Sequence, residues 1–159
     1  MKGDAVPDAH HVVRYIKPSL IDDNRVDGSA FVLRASDLGL SVNWLEILED
    51  SDCADPVAAI RNLVRMSLAS TGRFAKLNVG QTKEYVPAAA AEAGIPLDLT
   101  VVHAPLPAES GFEVDHSHAE ILGLPDHADD ASIVVGDLIA ECVVPPLIPA
   151  KPTLGRSKP

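Results

Sequence analysis

Apolar residues in this chain come in short runs whose spacing keeps changing, and that alternation sets the fold class. His11-Val12-Val13-Arg14-Tyr15-Ile16 reads as a strand stopped by Lys17-Pro18-Ser19. A turn at Asp27-Gly28 leads into Ala30-Phe31-Val32-Leu33-Arg34, also strand-like. Leu40, Val42 and Trp44 fall on one face of a period-two segment, although Trp44 to Leu48 also suits the start of a helix. Asp55-Pro56 then carries a helix-start signal, because the carboxylate caps free amides and proline needs no donor at the first helical position. Val57, Ile60, Val64 and Leu68 continue it as an apolar stripe, with Leu63 beside them and Gly72 as the stop. Arg73 to Val79 returns to strand.

The second half repeats the alternation. An alanine run predicts a helix from Pro87 to Ala93, ended by Gly94. Strands follow at Leu97 to His103 and Ser117 to Leu124, with a Pro- and Gly-containing loop between them. A last helix spans Asp130 to Cys142, with Val134, Val135, Leu138, Ile139 and Cys142 inward. This order is neither a clean βα alternation nor all-β. It predicts an α+β fold, a mixed or antiparallel sheet of about five to six strands with about three helices packed against it.

At 159 residues the chain fits a single domain. Residues 1–9 read as a flexible N-terminus and 10–144 as the α+β body. Residues 145–159 read as a Pro-rich extended or disordered tail, since so many prolines suit neither a helix nor an inner strand. No apolar stretch reaches the roughly 20 residues that span a bilayer. The start has no apolar segment like a signal peptide's, so a cytoplasmic protein is expected. Cys53 and Cys142 are then read as free thiols, and no CxxC pair offers a thiolate zinc site or redox motif.

Lys and Arg total 13 against 23 Asp and Glu, a net charge of −10. Between Lys83 and Lys151 the chain has acids from Glu84 to Glu141 and no Lys or Arg. Such a field repels phosphate backbones, which argues against general nucleic-acid binding. It suits an acidic face, or the Pro-rich tail, docking on another protein.

The densest cluster of ligand-capable groups is Asp115-His116-Ser117-His118-Ala119-Glu120. On a strand, His116, His118 and Glu120 would share one side, and two imidazoles with a carboxylate can bind a divalent transition metal. His103, ending the neighbouring strand, would join His118 and Glu120 as catalytic groups. Cupin-type proteins carry His-x-His with a glutamate farther on, and metallo-β-lactamases need Asp-His where Glu120-Ile121 stand. Neither family fits.

A second constellation is Arg14 and Arg34 among apolar neighbours, with Ser29, Ser41 and Asn43 nearby in sequence. Arginine presents a planar fork of donors that matches phosphate or carboxylate. Arg14, Arg34 and Asn43 are therefore the candidate substrate-binding residues. An early-strand arginine, a middle-strand serine and a late glutamate are similar to the arrangement in ADP-ribosyltransferases. That likeness implies a nucleotide held by Arg14 and Arg34, with Glu120 in the chemistry. No nucleophile elbow, Walker loop or GxGxxG occurs. Three functions stay open, whether the protein is an enzyme or not: an acidic interaction module, slightly preferred; a metal-assisted hydrolase; and a nucleotide-handling transferase.

Overall fold

The computed structural model describes residues 3–49, 68–109 and 114–150. Among the described residues six strands form one sheet: β1 (His11–Ile16), β4 (Leu40–Trp44), β5 (Arg73–Asn78), β6 (Thr100–His103), β7 (His118–Leu122) and β8 (Val144–Pro149). A small hairpin pairs β2 (Ile21–Asp22) with β3 (Arg25–Val26). The strand order is β6-β7-β4-β1-β5-β8, with every neighbouring pair antiparallel. Three helices accompany it: α1 (Leu45–Glu49), α2 (Val79–Glu92) and α3 (Ala131–Glu141). The protein is an α+β domain with an antiparallel sheet.

Period-two alternation divides the side chains as the pleat requires. Val12, Ile16, Leu40, Val42, Ala75, Leu77, Val101, Ala119 and Ile121 bury one face together with Val86 of α2 and Val135 and Ile139 of α3. Val13 and Phe74 turn to the other face, where they meet Leu45 and Leu48 of α1 and Ala150. Each fully buried side chain of this size contributes about 1.5–3 kcal/mol.

The apolar run at Ala30 to Arg34 is not a strand. Asp27 accepts the Ser29 backbone N–H (2.8 Å) and starts a 3-10 turn over Gly28–Phe31. Its apolar side chains are buried as a plug rather than paired in a ladder, with Phe31 1% exposed. The turn lies against α3 because two glycines meet there. A Cβ on Gly136 would stand 2.5 Å from the Gly28 carbonyl oxygen, and one on Gly28 would overlap Asp137. Another glycine is required at Gly123, where φ is +95° and a Cβ would run into the Asp98 carbonyl.

Other boundaries shift too. Helix α2 begins at Val79 rather than Pro87, because the Asn78 side chain accepts the Gln81 N–H (2.8 Å) and caps the start. Pro87 sits inside the helix. The last two expected inner strands shorten to Thr100–His103 and Ser117 lies outside β7. The helix expected after Asp55-Pro56 lies, to residue 67, outside the described residues.

Both ends of the body are larger than the sequence suggests. Of the segment expected to be extended or disordered, Pro145 to Pro149 is extended and belongs to edge strand β8, paired to β5 through Pro149–Arg73, Ile148–Phe74 and Val144–Lys76. Pro145 and Pro146 fall where that register shifts, so the ladder does not need their missing donors. At the opposite edge, residues 3–6 are not frayed. Val6 donates to Val101 O (2.9 Å), His103 donates to Asp4 O (2.8 Å), and Val6 is 1% exposed. The N-terminal segment thus covers the open side of β6.

Candidate functional site

The sheet comes apart at its centre. β1 pairs with β5 over all six residues, but with β4 only through Val12–Trp44 and Val13–Asn43. Beyond Val13 the ladder to β4 stops, and the Arg14 side chain takes its place. Its Nε donates to Ala30 O (2.7 Å) and its Nη1 to Ser41 O (2.7 Å). One guanidinium therefore ties β1, β4 and the Gly28–Phe31 turn together. Ala30 O is available to it because the paired glycines seat that turn on α3.

A cleft of about 650 Å3 opens along this seam. Val13, Tyr15, Phe74, Leu20, Val32 and Leu106 supply its apolar wall, and Ser29, Ser41 and Asn43 add neutral polar groups. Among the described residues its charged lining is Arg14, Lys17 and Arg34 against Asp115. The excess is cationic in a chain whose net charge is −10. Burial, helped by the nearby charge of Arg34, pushes the Arg14 guanidinium down to about 10, with Asp37 pulling the other way. Asp37 is itself bonded to Arg34, Oδ2 to Nε at 3.2 Å, and the Arg34 side chain is 83% exposed. Arg14, half-buried, hydrogen-bonds backbone carbonyls and no carboxylate among the described residues.

The β7 wall carries the titratable groups. Asp115, 2% exposed, accepts from the Ser117 N–H (3.0 Å) and hydroxyl (2.7 Å), which forms a tight turn immediately before β7. Asn43 Nδ2 donates to Ser117 Oγ (2.8 Å) and lies 3.4 Å from Asp115 Oδ2. His118, 8% exposed, has Nδ1 2.7 Å from Ala104 O and Nε2 3.2 Å from Ser41 Oγ. A carbonyl only accepts, so the proton sits on Nδ1, and Nε2 is left as the acceptor of the Ser41 hydroxyl.

Of the residues singled out from sequence, Arg14, Ser29, Arg34, Ser41, Asn43, Asp115 and His118 line this cleft, whereas His103, His116 and Glu120 do not. The Asp115 turn delays the start of the strand to His118, so His116 lies in the turn and is exposed, out of line with His118 and Glu120. The expected His116, His118, Glu120 metal trio is therefore not assembled. Among the described residues no group of three His, Cys, Asp or Glu side chains converges as a metal site. His103 Nε2 bonds His116 O (2.7 Å) while its ring stands edge-on to Trp44 at 5.2 Å. Glu120 is paired across from Ser41 on β4, on the same face of β7 as His118, but it is outside the cleft wall. The bond between His118 and Ser41 was not expected from sequence, because it depends on the β4–β7 register.

No known protein family, curated protein or solved structure matches this chain.

Proposed function

We propose that the protein binds a small organic anion, carrying a phosphate or carboxylate group, in the cleft between β1 and β4. The observation that carries this reading is Arg14: a half-buried guanidinium facing the cleft, flanked by Lys17 and Arg34, and bonded among the described residues to carbonyls rather than to an acid. A positive charge held among protein atoms without an anion is costly, and a bound oxyanion offsets that cost through charge-assisted hydrogen bonds. Apolar walls beside a few convergent polar groups are the usual make-up of a small-molecule site. Of the three functions open from sequence, this favours the reading built on Arg14, Arg34 and Asn43. It does not require Glu120.

The test is a melting-temperature screen with inorganic phosphate, a nicotinamide dinucleotide and a tricarboxylate. A ligand present at about 100 times its Kd stabilises by roughly 2.7 kcal/mol, or about 5–10 °C in a chain of this size. We expect at least one anion to do so, and Arg14→Met to remove the shift while its circular dichroism stays native. A flat response in the wild type, or an unchanged shift in Arg14→Met, overturns the proposal.

A further inference from the structure

We infer that Ser41 and His118 form a nucleophile–base pair that hydrolyses a carboxylic ester of the anion bound in the cleft. The inference rests on the anion-binding reading for its substrate class, and on independent geometry for its chemistry. Asn43 and His118 are directly paired across β4 and β7, and Ser41 lies two residues along on the same face. That diagonal is within side-chain reach in an antiparallel pair. It brings Nε2 to 3.2 Å from Oγ.

Three features suit the pair to catalysis. The Ala104 carbonyl fixes the proton on Nδ1, so the nitrogen facing Ser41 is always the basic one in the neutral ring. The same carbonyl accepts from Nδ1–H when the ring becomes imidazolium, which steadies the charge. The Arg14 guanidinium is bonded to the carbonyl of Ser41 itself, so negative charge developing on an acyl oxygen next to Oγ forms within its field. Three other candidate groups are committed differently: His11 to Glu46, His127 to Asp126, and Cys142 buried with its thiol pushed up by desolvation.

The step balances without a co-reactant other than water. Ser41 Oγ bonds to the acyl carbon as its proton passes to His118 Nε2. The bond from that carbon to the alcohol oxygen breaks, and the alcohol leaves with the Nε2 proton. Water then attacks the acyl-serine, gives a proton to Nε2, and Ser41 recovers its hydroxyl as the acid departs. An ester suits this equipment because its carbonyl is more electrophilic and its alcohol oxygen a better leaving group than an amide's nitrogen.

A fluorophosphonate probe followed by peptide mass mapping, together with hydrolysis of nitrophenyl acetate and of the anionic nitrophenyl succinate half-ester, tests the pair. We expect one adduct, on Ser41. Ser41→Ala should abolish it, and His118→Gln should slow both labelling and hydrolysis by roughly 10²–10⁴-fold with native circular dichroism. The succinate ester should be preferred over the acetate, and Arg14→Met should erase the preference. No adduct on the wild type, or equal labelling in His118→Gln, overturns the pair even where anions raise the melting temperature. Labelling at Ser41 with no preference for the charged ester supports the pair and overturns its anionic substrate.

Discussion

Single residues divide the work of the cleft unequally. Arg14 is held at two points on the protein, while Arg34 is 83% exposed and already bonded to Asp37. A solvated, partnered cation contributes little to a ligand, whereas a fixed fork contributes charge-assisted bonds. Arg34→Met should therefore weaken anion affinity by about 3-fold or less, against roughly 10- to 100-fold for Arg14→Met, as isothermal titration with the best-binding anion will show. Arg14, Arg34, Asn43 and His118 could be picked out beforehand because a charged or polar side chain in an apolar run announces itself. Ser41 needed its partner to mean anything, and that partner lies 77 positions away. His116 misled because alternation in sequence becomes alternation in space only within a strand, and β7 begins at His118, after the Asp115 turn.

At the scale of elements, the strands that could be read ahead were β1, β4, β5, β6 and β7, whose apolar runs are long enough to show a period. Those overlooked or misplaced were decided by caps and edges. Asn78 starts α2 eight residues before the proline that seemed to begin it, since Pro87 is an equally good signal in isolation. β2 and β3 are too short, at two residues each, for any periodicity to show. α1 illustrates a different dependence, on pH. Its Glu46 is pushed up by burial, but bonds from the His11 ring (2.8 Å) and backbone N–H (2.8 Å) outweigh that and hold the carboxyl below its ordinary range. A carboxyl lowered on folding stabilises the fold above its unfolded value and loses that contribution as pH falls through the lowered one. Melting curves taken from neutral to acid pH should thus show a shallower acid-side fall for Glu46→Gln than for the wild type.

For the whole molecule, the sheet's two margins are guarded in different ways. β8 carries prolines, and the outer side of β6 is covered by residues 3–6. Bare strand margins recruit other chains. Removing residues 1–6 should lower the melting temperature and raise the self-associated fraction in light scattering. A deletion protein that melts and sediments like the full chain would contradict this role. No helix among the described residues is long and apolar enough to cross a membrane.

Where β1 parts from β4, the ladder between two panels of three strands is reduced to a pair of residue couples and one side chain's reach. Such a join resists shear far less than a full ladder does. Whatever occupies the gap therefore acts as a cross-brace as well as a guest, and its arrival would be felt as stiffness by strands that never touch it.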